Sequence, residues 1–323
     1  YIARNQTWRE PYQQLLRSDR LPSDDRFIHH VKLRLGWEYF SDLTYRSHTS
    51  QTLEAAGIAL AEVSIDRISA VATKLPVYLA NAVSGAFKMD ELTATRFLSG
   101  LLQQMRRRGA VGHEYIVAGM STAPSRIGGP NYFAAGRAMG LGKTDTLPVP
   151  NYRNGAAPMP VTLLRSAPGY QPLLHDHSTN WYRDWADKFF LPISLSLVSQ
   201  YDAVFETTMR LLEAEGVVRR IDRPAPSRDH GFVIEPTIIK VTDRVLHLRC
   251  DKCHRNEIAL AENQIAIEST CTRIGCHGSL LETNHSVSAS TTALLSTDRN
   301  HRIVGREHTG LLEADERRQI ETD

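Results

Sequence analysis

The sequence predicts an α+β fold, mainly helical, in which winged-helix-like units lead into a small cysteine ribbon. Three observations carry this. Apolar residues in the first part of the chain recur at spacings of three and four, the period of a helix with one buried face. Two later segments pass from such a helix through a glycine straight into strand-like residues. All four cysteines of the 323-residue chain then fall between positions 250 and 276.

Residues 1–88 read as a helical linker or scaffold. The stretch "FIHHVKLRLGWEYFSDLTYR" places Ile28, Val31, Leu35, Tyr39 and Leu43 on one helical face. "SQTLEAAGIALAEVSIDRISAVATKLPVYLANAV" is expected to continue in helices, broken near Gly57 and Pro76. Residues 89–178 read as a winged-helix-like unit with a long insertion. In "MDELTATRFLSGLLQQMRRRG", Asp90 is placed to cap the helix and Gly109 to end it. Phe97, Leu98, Leu101, Leu102 and Met105 form its apolar stripe. "AVGHEYIV" then turns to strand character, as when the third helix of a winged helix passes into its wing.

Eight prolines punctuate residues 118–178, marking a long irregular insertion. Within it, "MGLGKT" ends like a phosphate-binding loop with Gly142, Lys143 and Thr144, but Arg137 stands where the first glycine belongs. Such a loop follows a buried strand and opens a helix. Here "GPNYFAAGRA" precedes it, and Pro148 and Pro150 stop any helix after it. The match is read as chance.

Residues 179–246 repeat the pattern as a second winged-helix-like unit. Trp181, Trp185 and Phe189 share one stripe of a helix. In "SQYDAVFETTMRLLEAEG", Ser199 and Asp202 have capping-box spacing, Val204, Phe205, Met209, Leu211 and Leu212 face the core, and Gly216 ends the helix. "VVRRI", the loop "DRPAPSRDHG" and "FVIEP" then read as a strand hairpin. The chain is thus expected to hold two similar units, near 89–117 and 199–235.

Hydrophobic residues at 41% and charged residues at 23% describe an ordinary folded chain, and the formal net charge is only +2. That balance excludes a chain that binds polyanions over its whole surface. The charge is uneven, however: from Arg96 to Arg165 there are nine basic residues against two acidic ones. No apolar run reaches the length of a membrane span, and "YIARNQTWRE" is no signal peptide, so a cytoplasmic protein with no membrane contact is expected. The opening tyrosine and the uncapped closing helix "ADERRQIETD" read as cuts from a larger protein.

Residues 247–285 hold Cys250 and Cys253 as one C-x-x-C pair, and Cys271 and Cys276 as a second pair. Two such knuckles supply the tetrahedral thiolate set of structural zinc, with strands of a zinc ribbon between them. Four thiolates leave no open position for water, so the Zn²⁺ is expected to be structural and not hydrolytic. Disulfides are the alternative, with nothing in the sequence pointing to secretion. His254 and His277 each follow a cysteine and are substitute ligands. "HDH" at 175–177 is a weaker metal pattern, read as an exposed loop.

The closing segment "RIVGREHTGLLEADERRQIETD" resembles part of the second RecA-like lobe of superfamily-2 helicases, through His308, Thr309, Gly310, Leu311, Glu316, Arg317, Arg318 and Glu321. "RLGWEYFSDLTYRSHTSQTLEAAGIA", "FVIEPTIIKVTDRVLHLRCDKC" and "REHTGLLEADERRQIE" in this order are similar to large bacterial DEAD/DEAH-box helicases, including those of DISARM-like antiphage systems. The resemblance implies that 286–323 begin a RecA-like α/β lobe. It also implies a fragment lying between and into the motor lobes, with ATP and Mg²⁺ bound only by the full-length parent. The chain itself has no complete phosphate loop, no DEAD/DEAH box and no arginine-finger motif.

Two functions follow. The first is an accessory fragment of an ATP-dependent DNA helicase or translocase, inactive alone. Its partners would be DNA or RNA, the remaining RecA-like lobes and the subunits of a defence system. The candidate phosphate contacts are Arg106, Arg107, Arg108, Arg219, Arg220, Arg223 and Arg228, at helix ends and in the wing. The bland alternative for each is a solvated surface arginine. The second function is a non-enzymatic zinc-ribbon, winged-helix DNA-binding protein. An ATPase using Lys143 ranks last.

Overall fold

The computed structural model describes residues 13, 17, 42–44, 52–112, 161–163, 170–174, 180–222 and 230–283. All of these fall within one compact unit, Tyr1–Ser288. The expected RecA-like start at 286–323, with His308, Thr309, Gly310, Arg317 and Arg318, lies outside the described residues. So do "MGLGKT", "HDH", Arg223 and Arg228.

The architecture is mixed α/β. In chain order the elements are β1 (Leu60–Val63), α1 (Ile65–Ala72), α2 (Leu75–Ala82), α3 (Glu91–Arg107), β2 (Val161–Thr162) and β3 (Gln171–Pro172). There follow α4 (Trp181–Phe190), α5 (Leu195–Ser199), α6 (Tyr201–Ala214), β4 (Val218–Asp222), β5 (His230–Ile234), β6 (Ile239–Thr242), β7 (Val245–Cys250), β8 (Asn256–Leu260) and β9 (Leu280–Glu282). The strands make three sheets: β1 with β6, the order β3-β2-β5-β4, and the order β8-β7-β9. No helix among the described residues is long and apolar enough to cross a membrane.

Two helices organise the body, and both end alike. The Asp90 carboxylate accepts from Thr93 N at 2.7 Å and caps α3. At its other end Gly109 takes φ 82°, and Ala110 N reaches Met105 O at 2.9 Å while Gly109 N reaches Arg106 O at 2.8 Å. That pair of bonds is a Schellman motif, which needs the left-handed conformation glycine adopts without steric cost. α6 ends the same way: Gly216 has φ 68°, Val217 N reaches Leu212 O at 2.8 Å, and Gly216 N reaches Glu213 O at 3.0 Å. Each motif turns the chain onto β5. Val111 bridges Ile234 in parallel on one side, and β4 pairs antiparallel on the other, from Val218↔Ile234 to Asp222↔His230.

The core is one cluster running from Val63 to Ile234. Phe97 lies within it, 4.7 Å from the Phe190 ring and 6.4 Å from Phe205. The Trp185 indole packs against α3 and donates to Phe97 O at 2.9 Å. It can do so because residue 100 is glycine: a Cβ there would stand 2.0 Å from Trp185 Cζ2. The stripes expected on α3, on α4 and on α6 are all buried here or packed against this core.

The structure corrects several expectations. Residues 60–63 form a strand, not a helix; β1 pairs antiparallel with β6, from Leu60↔Thr242 to Val63↔Ile239. Leu, Ala and Glu favour helices locally, but all four residues of β1 are buried, and pairing with a distant strand overrides propensity. Ser199 and Asp202 make no capping box. Residues 195–199 already form α5, capped by Ser194, so the Ser199 hydroxyl turns back to Ser196 O, and α6 starts after Gln200 with no side-chain cap. Buried residues of α1 to α6 belong to one apolar cluster. The segment after α3 and the segment after α6 meet on one hairpin, β4–β5.

Candidate metal centre

The cysteine ribbon is built by three short strands. β7 pairs antiparallel with β8, from Val245↔Leu260 to Arg249↔Asn256, and with β9, from Leu248↔Glu282 to Cys250↔Leu280. β7 ends on Cys250. The chain then reverses through Cys253 and His254, and His254 takes φ 56°, a left-handed conformation unusual for a non-glycine residue. His254 N bonds Cys250 O at 3.1 Å and Cys250 N bonds Arg255 O at 2.9 Å, closing the first knuckle. In the second, Cys271 N bonds Gly278 O at 2.9 Å and Cys276 N bonds Arg273 O at 3.1 Å, with Gly275 at φ 69°.

These turns bring Cys250, Cys253, Cys271 and Cys276 together, with all four sulfurs within 4.8 Å of one another. Cys250 Sγ is 3.7 Å from Cys276 Sγ, and Cys253 Sγ is 3.6 Å from Cys271 Sγ. Sulfurs arranged tetrahedrally about 2.3 Å from a central ion stand about 3.8 Å apart, whereas a disulfide needs about 2.05 Å. The four thiols are free, and their spacing fits one metal ion. His254 and His277 are exposed and take no part in the cluster. Gly278 must be small, because a Cβ there would sit 2.5 Å from Cys250 Sγ.

Backbone donors and burial act on the sulfurs in opposite directions. Cys253 N donates to Cys250 Sγ at 3.4 Å, and Arg273 N to Cys271 Sγ at 3.5 Å. The backbone N–H of Arg255 holds the Cys253 thiol down at about 6. Burial pushes Cys250 and Cys271 upward, and a bound cation would favour loss of their protons.

The second knuckle is fastened to one face of α4. Lys188 Nζ donates to Cys271 O at 3.1 Å and to Arg273 O at 2.6 Å. Trp181 Nε1 donates to Thr272 O at 2.7 Å, and Asp184 accepts from Gly275 N at 3.0 Å. Lys188 and Asp184 pair at 2.7 Å. Trp181 reads as a core residue in sequence, and Asp184 and Lys188 carry no signal beyond an i, i+4 charge pair. From α3, Arg96 donates to Ile265 O and Ile267 O at 3.1 and 2.9 Å.

The candidate phosphate contacts separate. Arg106 is 0% exposed, with Nη2 2.5 Å from Glu54 Oε2, and it also donates to Leu43 O. It is a structural ion and offers nothing to a phosphate, which corrects the sequence expectation. Arg107 is 12% exposed, 2.9 Å from Glu54 and 4.0 Å from Glu257. Arg108 is exposed. Arg219 lies 3.8 Å from Glu235 and donates to Gly112 O. Arg220 pairs with Glu213 at 2.7 Å, with its guanidinium 5.9 Å above the Phe232 ring.

Glu62 joins β1 to the ribbon, accepting from Leu260 N at 3.2 Å and from Asn263 Nδ2 at 2.9 Å. Burial raises its carboxyl above the ordinary value, against the pull of those two donors. The folded chain therefore holds this proton more tightly than the unfolded chain. The stability Glu62 contributes is full below the ordinary value of 4.5 and is lost as pH rises through the raised one. In Glu62→Gln that part of the decline is expected to vanish. Urea unfolding at about pH 4 and about pH 8 checks it; a decline as steep as the parent's would show that Glu62 does not carry it.

No family model, no curated protein and no solved structure matches this chain.

Proposed function

We propose that the chain is a nucleic-acid-binding accessory module organised by one structural zinc ion, and that it serves an ATP-dependent DNA helicase or translocase. The observation that carries the reading is the cluster of four cysteine sulfurs at the end of a ribbon. Tetrahedral S₄ sites suit zinc, and with four protein ligands they are structural. Cys250, Cys253, Cys271 and Cys276 would hold the ion, which cross-links two knuckles that share little apolar core.

The body supports a binding role. α3, the bridge at Val111, the helices α4 to α6 and the β4–β5 hairpin follow one another in an order compatible with a winged helix, which supports the reading. Arg219 and Arg220 lie on the hairpin, 46% and 41% exposed, and would meet phosphates in the manner of a wing. The helicase assignment rests on the resemblance of the closing segment. ATP and Mg²⁺ would be bound by RecA-like lobes of the parent, and a role beside antiphage subunits follows from the same resemblance.

The full chain, metal-loaded, should bind a fluorescent oligonucleotide. Its affinity should fall at least about tenfold between about 50 and 200 mM salt, as released counterions require. Absent binding, or affinity indifferent to salt, would overturn the reading. DNA-stimulated ATP hydrolysis by the longer parent separates a helicase module from a non-enzymatic DNA-binding protein.

A further inference from the structure

We infer that single-stranded nucleic acid is held in the groove between the C-terminal turn of α3 and the second metal knuckle, by Arg108, Arg255 and Arg273 against the Trp181 ring. This rests on the nucleic-acid reading above and moves its principal contact from the hairpin to this groove.

The groove has a volume of about 360 Å³ and is lined by four arginines, Arg107, Arg108, Arg255 and Arg273, with no carboxylate among its lining residues. That volume suits one or two bound groups, not a protein side. The charges are only partly answered from beneath. Glu257 lies 4.0 Å from Arg107 and 3.7 Å from Arg255, and Glu54 takes the other side of Arg107. Arg108 and Arg273 are exposed and carry no ion pair among the described residues. Two unanswered guanidiniums facing one concavity repel each other, and an anion between them relieves that cost.

Trp181 makes the ligand a nucleic acid and not a bare anion. Its ring is half-buried and stacks on Trp185 at 5.2 Å and 15°, and its Nε1 is tied to Thr272 O. It is therefore a rigid aromatic wall, oriented before any ligand arrives. Ile274, 50% exposed, adds apolar surface beside it. A positive channel with a fixed aromatic is how single strands are bound without sequence choice, phosphates on arginine and a base on the ring. A duplex keeps its bases stacked inside and brings no base to Trp181. The hairpin is less suited, because Arg219 and Arg220 are engaged by Glu235 and Glu213.

The metal is part of the device. Arg255 follows the first knuckle and Arg273 sits within the second, so their positions depend on the closed ribbon. The Arg273 backbone bonds Lys188 and Cys271, while the residue is exposed, which makes the side chain removable.

The test compares the full metal-loaded chain with Arg108→Glu/Arg273→Glu and with Arg219→Glu/Arg220→Glu, each titrated with labelled oligothymidine. Metal content and the melting curve check that each variant is folded; if the groove pair fails to fold, Arg108→Ala/Arg273→Ala replaces it. The groove pair is expected to lose at least about tenfold in affinity, with the salt slope reduced by about 1.4, two contacts at about 0.7 each. The hairpin pair should lose less affinity than the groove pair. Excess duplex should compete poorly with oligothymidine. Undiminished binding in the groove pair, with loss in the hairpin pair, overturns this inference and leaves the proposed function standing. No binding by the parent chain overturns both. Equal competition by duplex overturns the single-strand assignment.

Discussion

Replacing Cys271 with serine is expected to release the metal and unfasten the second knuckle from α4. Cys271 is buried, its sulfur accepts from Arg273 N, and its carbonyl is one of two held by Lys188. Serine offers a neutral hydroxyl, a poor replacement for a thiolate on zinc. The ribbon cannot compensate through packing, because its apolar cluster consists of Leu246, Leu248, Ala259 and Leu280 around three buried cysteines. A core that small does not hold three strands alone. Structural zinc sites contribute on the order of 10 kcal/mol to folding of such units, so the loss exceeds any packing change available. The parent chain, purified without chelator, should carry about one zinc ion, and Cys271→Ser and Cys250→Ser near none, by elemental analysis. Limited proteolysis should then cut within 245–283 first. Full zinc retention in both variants would end the four-thiolate assignment.

Glu54→Ala should produce the second large effect, a loss of about 3–5 kcal/mol in unfolding free energy. Glu54 is 8% exposed and takes one bond from Arg106 and another from Arg107. Burial pushes its carboxyl up, but the two guanidiniums outweigh this and hold it below its ordinary value. Alanine leaves Arg106 charged and fully buried, with only the neutral acceptors Gln103 Oε1 and Leu43 O at bonding distance. The double variant Glu54→Ala/Arg106→Met removes both charges and should recover much of the loss, which separates an orphaned charge from a simple cavity. The pH dependence adds a second reading. The stability Glu54 contributes is present above the ordinary carboxylate value of 4.5 and is lost as pH falls through its lowered folded value. Glu54→Ala should therefore lose more at about pH 7 than at about pH 3 by urea unfolding. Equal stability of variant and parent at neutral pH would show that the pair is not structural.

Glu54 and Glu62 thus pull the pH profile in opposite directions, although both sit beside the same two arginines. The difference is geometric. Glu54 has direct bonds to Arg106 and Arg107, whereas Glu62 receives only a backbone N–H and an amide at bonding distance. A full charge at contact outweighs desolvation, and two neutral donors do not.

Short-range features of this chain were readable from its residues. Asp90 and Gly109 bound α3 and Gly216 ends α6, because capping and the left-handed C-terminal turn are decided within about five residues. "VVRRI" and "FVIEP" pair as expected, since a glycine exit and two strand-like runs joined by a loop are local patterns. The clustering of Cys250, Cys253, Cys271 and Cys276 was readable for a similar reason: each knuckle's spacing is a property of a few consecutive residues. What the tertiary structure decided was everything that depends on a distant partner. "LAEV" became a strand because Ile239–Thr242 lies beside it. Arg106 looked like the basic tip of an exposed helix, yet it is buried because Glu54, some fifty positions earlier, comes to meet it. Trp181, Asp184 and Lys188 turned out to fasten a cysteine knuckle about ninety residues away. Propensity, capping and ligand spacing are written in neighbouring residues; burial and charge pairing are set by which surfaces meet when the chain closes on one core.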